Sequence, residues 1–177
     1  MWPTPRTPTT RPIGQQNLEE GNEEYAACFT QGHLALPPSQ KYAILTCMDA
    51  RIDPAAAFGI PLGAAHVIRN AGASAREAFR SLVISQQLLG TTEVLLVKHT
   101  GCGMLSFENE SARDVVRIQK GAAAAKEVAD LDFLTFTSLE LEVKKDVAWL
   151  QSKAIESGIT ISGWIYDVTT GKVQRIV

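Results

Sequence analysis

Short runs of apolar residues recur along the chain and predict the strands of a sheet. The runs cover residues 42–47, 66–69, 94–97 and 159–168, and glycine, proline or polar residues bound them. Bounded runs of this kind are typical of buried strands. A turn predicted over residues 169–172 leads into 173–177, which predicts a final antiparallel strand.

Helical patterns fill the segments between these runs. Asp53 before Pro54 is a helix-start signal, and so is the capping box that Ser74 forms with Glu77. The predicted helices cover residues 17–29, 54–58, 74–89, 107–129 and 137–157, the fourth with an interruption at residue 121. Alternating strands and helices predict an α/β fold with a parallel sheet and helices on both of its faces.

The length of the chain suits one domain. Its 177 residues are enough for a sizeable core, and the start is rich in proline and threonine without acidic residues. We therefore expect a flexible N-terminal arm over residues 1–16 and a single α/β domain over residues 17–177.

Composition excludes several classes of function. The net charge is −2 and no basic stripe occurs, so nucleic acid is not an expected partner. No apolar run approaches the ~18 residues of a membrane span, so no membrane association is expected. Three cysteines form no disulfide framework and indicate a reducing compartment, which predicts the cytoplasm, with the mitochondrion as the alternative. Cys28 is expected to be a small buried side chain of the first helix.

Two predicted strands end in residues that can bind a metal. His99 and Cys102 follow the 94–97 run, and Cys47 ends the 42–47 run. Parallel sheets bind ligands beyond the carboxyl ends of their strands, where strand order reverses. If these two strands are neighbours, the three side chains meet there, although Cys47 and His99 are 52 positions apart. Thiolate and imidazole are zinc ligands, so the sequence predicts a Zn²⁺ site.

The fourth ligand position is left open by the sequence. Water there makes the site catalytic, whereas Asp49 there makes it a closed structural or redox site. Asp49 and Arg51 alternate with Cys47 and would face the same way in an extended segment. Arg51 could then hold the Asp49 carboxylate in a bidentate ion pair, which keeps it ionised and able to orient a water molecule.

These motifs resemble those of β-class carbonic anhydrases. The resemblance rests on Cys47-x-Asp49-x-Arg51, on His99-x-x-Cys102, on the segment 67–72 and on residues 164–171, and it extends from residue 42 to the end of the chain. The form His-Thr-x-Cys-Gly-Met is similar to the compact branch of the family, which also contains carbonyl sulfide and carbon disulfide hydrolases.

The resemblance implies a fold and a reaction. The fold would be a Rossmann-like, mostly parallel sheet with an antiparallel C-terminal strand, and the assembly a homodimer or a tetramer of dimers. Zinc-hydroxide would attack the carbon of CO₂ and give bicarbonate, with Asp49 and Arg51 controlling the fourth position. The alternative is carbonyl sulfide hydrolysis to H₂S and CO₂ at the same zinc.

The resemblance also implies a substrate pocket at the subunit interface. Its expected lining is Asn70, Ala71, Gly72 and Gly101. Many relatives carry aspartate where Gly101 stands. The glycine removes a negative charge beside the ligands, and the added room is compatible with a larger sulfur-containing substrate.

Overall fold

The structure, a computed structural model, describes residues 12–177 except for the side chain of residue 154. The chain divides into two compact units, Met1–Leu34 and Ala35–Val177. The arm predicted for residues 1–16 lies mostly outside the described residues and stays a prediction.

Helix α1, Ile13–Ala27, belongs to the first unit and begins four residues before the predicted start. Its start needs no side-chain cap, because the backbone N–H groups of Gln15 and Gln16 donate to Pro12 O. The predicted cap, Asn17, therefore lies inside the helix.

Cys28 follows α1 directly and is exposed, so the prediction of a buried side chain is wrong. Its thiol donates to the carbonyl groups of Glu24 and Tyr25 in the last turn of the helix. These carbonyl groups have no partner within the helix, so the thiol can bond to them at the helix end and remain exposed to solvent.

Five strands form one sheet in the second unit, in the order β2-β1-β3-β4-β5. All neighbours are parallel except β5, which runs antiparallel to β4. The strands are β1 Tyr42–Cys47, β2 Ala65–Asn70, β3 Glu93–His99, β4 Thr160–Tyr166 and β5 Val173–Arg175. The predicted mostly parallel sheet with an antiparallel end is confirmed.

The helices of the second unit start at the predicted capping residues or close to them. Asp53 and Ser74 cap α2 and α3, and Ser138, one residue after the predicted start, caps α6. Gly121 separates α4 from α5 as expected. The helices are α2 Pro54–Ala57, α3 Ala75–Val83, α4 Asn109–Lys120, α5 Ala122–Glu127 and α6 Leu139–Gln151.

Helix α3 is shorter than predicted and continues as a π-helical turn, Ile84–Leu88. The wider turn buries two adjacent side chains, Ser85 and Gln86, which an α-helix would place on diverging faces. Ser85 Oγ then lies 2.8 Å from Thr91 Oγ1 at the start of the segment that leads into β3.

The core lies on both faces of the sheet, because side chains of successive strand residues alternate between faces. One cluster joins Leu45 and Leu96 to helices α3 and α6. The other joins Ile44 and Val97 to the region of α2 and to the metal-binding candidates. Among the described helices, none combines the length and apolar character that crossing a membrane requires.

Candidate metal centre

The candidate site lies at the carboxyl ends of β1 and β3. These strands are parallel neighbours, with Thr46 opposite Val97. Cys47 ends β1 and His99 ends β3, so the register brings both residues to one edge of the sheet. Strand order reverses between β1 and β3, which is where open α/β sheets bind ligands.

The three predicted ligand residues come together at this edge. One potential ligand atom each from Cys47, His99 and Cys102 lies within 4.8 Å of the other two. All three residues are buried, with relative exposures of 4%, 1% and 5%. Two thiols and an imidazole at one buried point are a donor set for Zn²⁺.

The imidazole of His99 is oriented for metal binding. Its Nδ1 lies 2.9 Å from Thr100 O, and a backbone carbonyl can only accept, so the proton is assigned to Nδ1. Nε2 is buried and has no hydrogen-bond partner among the described residues. A buried acceptor nitrogen without a donor is costly, and a metal ion would satisfy it.

The two thiols shift each other's pKa in opposite directions. The neighbouring Cys102 thiol lowers the pKa of Cys47, and burial of Cys47 opposes this effect in part. The same contact with Cys47, together with burial, raises the pKa of Cys102. The site therefore already stabilises negative charge on sulfur, which a cation would neutralise.

Asp49 and Arg51 form the predicted bidentate pair beside this group. Arg51 Nε lies 2.9 Å from Asp49 Oδ1, and an Arg51 Nη lies 2.7 Å from Oδ2. These hydrogen bonds hold the pKa of Asp49 well below its usual range, so the carboxylate stays ionised. Asp49 Oδ2 lies 3.7 Å from Nε2 of His99, one of the three candidate ligand residues.

The pair does not arise from an extended segment, as the sequence pattern suggested. Residues 49–52 form a turn, in which Ile52 N donates to Asp49 O. The backbone N–H of Arg51 also donates to Asp49 Oδ1, at 2.9 Å. The Asp49 carboxylate therefore stabilises the turn through a local hydrogen bond. The turn, and not an extended strand, brings Asp49 and Arg51 together.

The predicted pocket residues surround the ligands, and their contacts are mainly structural. Asn70 uses both side-chain polar atoms on the backbone of Ser74, at 2.7 and 2.9 Å, and so closes the turn Ala71–Ala73. Gly72 lies in this turn with φ +71°. Gly101 O accepts a hydrogen bond from Arg51 at 3.0 Å. Roles in substrate binding stay predictions for these residues.

Two further residues make contacts at the site that were not predicted from the sequence. Arg69 donates from Nε to Cys47 O at 3.0 Å and from an Nη to Asp49 O at 2.7 Å, which ties the end of β1 to β2. Thr100 Oγ1 donates to Asp167 Oδ1 at 3.1 Å and anchors the loop between His99 and Cys102. The position of Arg69 at the carboxyl end of a predicted strand is the one sequence feature that could have indicated its contact with the site.

Known proteins are similar to this chain in sequence and in fold. A sequence model of the family described as Carbonic anhydrase matches residues 42–173. Beta-carbonic anhydrase 1 of Mycobacterium tuberculosis is 35% identical over 157 residues, which cover 88% of this chain and 93% of the relative. A carbon disulfide hydrolase of Acidithiobacillus thiooxidans is 27% identical over 178 residues, which cover 90% of this chain and 89% of the relative.

The solved structure of a carbonic anhydrase from Glaciozyma antarctica superposes with a TM-score of 0.90 at 42% identity, over 94% of this chain and all of that one (100%). The likeness thus extends over the whole α/β unit and includes the strands that carry Cys47 and His99. The chain belongs to the β-carbonic anhydrase family, and it is an enzyme of that family's lyase and hydrolase type.

Proposed function

We propose that this enzyme hydrates CO₂ to bicarbonate with Zn²⁺ held by Cys47, His99 and Cys102. The observation that carries the proposal is the convergence of two thiols and an unpartnered imidazole nitrogen at one buried point. The donor set fits zinc in type and number, with one tetrahedral position left over. Bound zinc would supply Lewis acidity that lowers the pKa of a water molecule.

The chain's own contribution is to orient the attacking water. An ionised Asp49 accepts a hydrogen bond from that water, which turns an oxygen lone pair toward the carbon of the substrate. Arg51 holds both carboxylate oxygens and so fixes the direction from which Asp49 accepts. The burial of the three ligand residues keeps bulk water away from their side chains.

The contacts of Asp49 favour an open site over a closed structural one. Both of its carboxylate oxygens accept from Arg51, and Arg51 is itself held by Gly101 O. A closed site would require Asp49 to exchange these bonds for the metal. The arrangement therefore supports a catalytic role for Asp49 rather than a role as a permanent ligand.

Sulfur analogues of CO₂ are the second candidate substrates. The carbon disulfide hydrolase relatives favour this candidate, and so does the small residue Gly101 beside the ligands. The carbonic anhydrase of Mycobacterium tuberculosis is more similar than the carbon disulfide hydrolase of Acidithiobacillus thiooxidans, at 35% identity against 27%, which favours CO₂. The sulfur substrate proposed is carbonyl sulfide, hydrolysed to H₂S and CO₂ by the same attack.

One preparation assayed on both gases tests the proposal. We expect about one zinc per chain, fast CO₂ hydration by stopped-flow indicator assay, and little H₂S release from carbonyl sulfide. Sulfide release that outpaces CO₂ hydration would transfer the proposal to the second substrate. Protein without stoichiometric zinc after metal loading would contradict both.

The Asp49→Ala variant separates a catalytic from a structural site. We expect zinc to be retained while turnover falls by about 10²-fold, because an oriented proton acceptor is lost. Asp114→Ala, which removes an exposed carboxylate of α4, is the matched control and should leave both unchanged. Loss of zinc and of the folded state in Asp49→Ala would favour the closed site.

The assembly and the compartment are part of the same proposal. A homodimer or tetramer of dimers is supported by β2, which ends the described sheet and exposes 43% of Val67. Light scattering coupled to size exclusion measures the assembly. A reducing cytoplasm is supported by the free thiols of Cys47 and Cys102, which the site requires unoxidised.

A further inference from the structure

A buried ion pair lies directly behind the candidate metal centre. Lys98 precedes His99 in β3 and points to the opposite face of the sheet, where its side chain is only 2% exposed. Its Nζ lies 2.9 Å from Oδ2 of Asp146, a buried carboxylate of α6. The proposed reaction uses neither residue.

The ammonium group of Lys98 also reaches the backbone of the turn Ala71–Ala73. Nζ donates to Gly72 O at 2.7 Å and to Ala73 O at 3.1 Å. With Asp146 as the third partner, all three ammonium protons are used. Each contact restrains the turn relative to β3 and α6.

That turn has a backbone conformation that needs support. Gly72 has φ +71° and Ala73 has φ +51°, and Ala73 carries a side chain that disfavours this region. Such residues persist only where surrounding contacts determine them. Lys98 supplies two of those contacts from the side of the turn that faces α6.

The same turn also packs beside the metal-ligand candidates. Asn70, which precedes the turn, lies opposite Cys47 in the sheet. The carbonyl of Asn70 accepts from Met48 N at 2.9 Å, directly after Cys47.

The turn also packs against the loop that carries the second thiol. A Cβ atom added at Gly72 would lie 2.8 Å from the Cγ of Met104, two positions after Cys102. The turn that Lys98 holds therefore meets both segments that carry the sulfur ligands, and a change at the ion pair would move or loosen it there.

We propose that the Lys98–Asp146 pair is a positioning device for the metal site, which holds the turn Ala71–Ala73 in place against Met104 and the end of β1. The inference rests on the proposed metal function. Stability alone is a poor reason for the pair, because apolar residues of similar volume often stabilise a core as well as a buried ion pair does. Apolar residues, however, could not donate to the two carbonyl groups of the turn.

A double variant, Lys98→Met/Asp146→Leu, tests the role without leaving a buried charge. Zinc affinity is measured by competition with a chelator, and ligand geometry by the thiolate and ligand-field absorption of the Co²⁺-loaded protein. We expect a folded protein with zinc affinity reduced by about 10- to 100-fold and an altered Co²⁺ spectrum. Lys145→Met removes an exposed lysine of α6 and should keep the affinity within about twofold of wild type.

The outcomes separate this inference from the proposed reaction. Wild-type affinity and an unchanged Co²⁺ spectrum in the folded double variant would overturn the positioning role, and so would an equal loss in Lys145→Met. If the double variant does not fold, Asp146→Asn decides by the same two measurements, because it keeps shape and weakens the hold on Lys98. Wild-type protein that binds zinc but hydrates no CO₂ would refute the reaction and leave the positioning role standing.

Discussion

At the scale of single residues, Gly72 links the buried ion pair to the residues around the candidate metal centre. Its carbonyl accepts from Lys98 Nζ at 2.7 Å. A Cβ atom at this position would lie 2.8 Å from Met104 Cγ and 3.3 Å from a ring carbon of Phe136. Only glycine meets the conformational and the steric requirement together.

Alanine variants of two glycines separate the cost of the positive φ from the cost of the missing space. Gly72→Ala should lower the free energy of unfolding by about 2–4 kcal/mol, from the positive φ and from overpacking against Met104. Gly90→Ala is the matched control, because Gly90 has φ +74° and open space around its missing Cβ. We expect about 1 kcal/mol there, measured by urea unfolding. Equal losses in the two variants would contradict the steric contribution.

The sequence predicted the metal-ligand candidates better than the residues that support them. Cys47, His99 and Cys102 stand at the ends of apolar runs, where reactive side chains are easily recognised. Lys98 also stands at the end of such a run, but its partner Asp146 is 48 positions away on a helix. Their contact depends on how α6 packs on the sheet, which no local pattern contains.

At the scale of elements, helix α6 packs on β4 at a glycine. A Cβ atom at Gly163 would overlap Val143 Cγ1 and would lie 3.0 Å from Val147 Cγ2. Gly163 has no positive φ, so its small size and not its backbone conformation is what this position requires. The close approach places α6, and with it Asp146, against the strands that carry the site.

A double-mutant cycle tests whether Gly163 sets the distance between α6 and β4. Gly163→Ala should destabilise the fold by about 1–3 kcal/mol, because α6 must move away from β4. Val143→Ala removes the overlapping methyl group, so the double variant should lose less than the sum of the single losses. Thermal and urea unfolding give the three values. Strict additivity would show that the helix is not held at this distance by the glycine.

The strands were predictable as elements, whereas the end of α3 was not. Runs such as residues 42–47 and 94–97 are short, apolar and bounded, which is typical of buried strands. The sequence predicts a regular helix over residues 74–89, yet the chain forms a π-helical turn at Ile84–Leu88. This turn buries Gln86 against a distant carboxylate, that of Glu156, and no local pattern contains that contact.

At the scale of the whole molecule, the carboxylate of Glu156 makes the stability of the fold depend on pH. Glu156 is only 4% exposed, and it accepts from Gln86 Nε2 at 2.7 Å. Burial raises the pKa of Glu156, and the hydrogen bond from Gln86 opposes this only in part. The folded state therefore binds this proton more tightly than the unfolded chain, so stability falls as pH rises above the ordinary range of glutamate.

Glu156→Gln removes this titration and keeps the shape. We expect the free energy of unfolding at pH 7 to rise by about 1 kcal/mol, because a buried charge with an unpartnered oxygen is lost. The gain should vanish below about pH 4, where glutamate is protonated in both states. Glu127→Gln, at an exposed position of α5, serves as control. A gain of equal size at pH 4 and pH 7 would contradict the linkage.

The sheet order has a consequence for the making of the protein. Cys47 leaves the ribosome long before His99 and Cys102, and β1 meets β3 only after the intervening β2 and α3 have been synthesised. The strand on the far side of β3, β4, is synthesised later still. A nascent polypeptide therefore offers a cation single thiols at first, and the full set of three donors exists only once β3 and the loop to Cys102 have been synthesised.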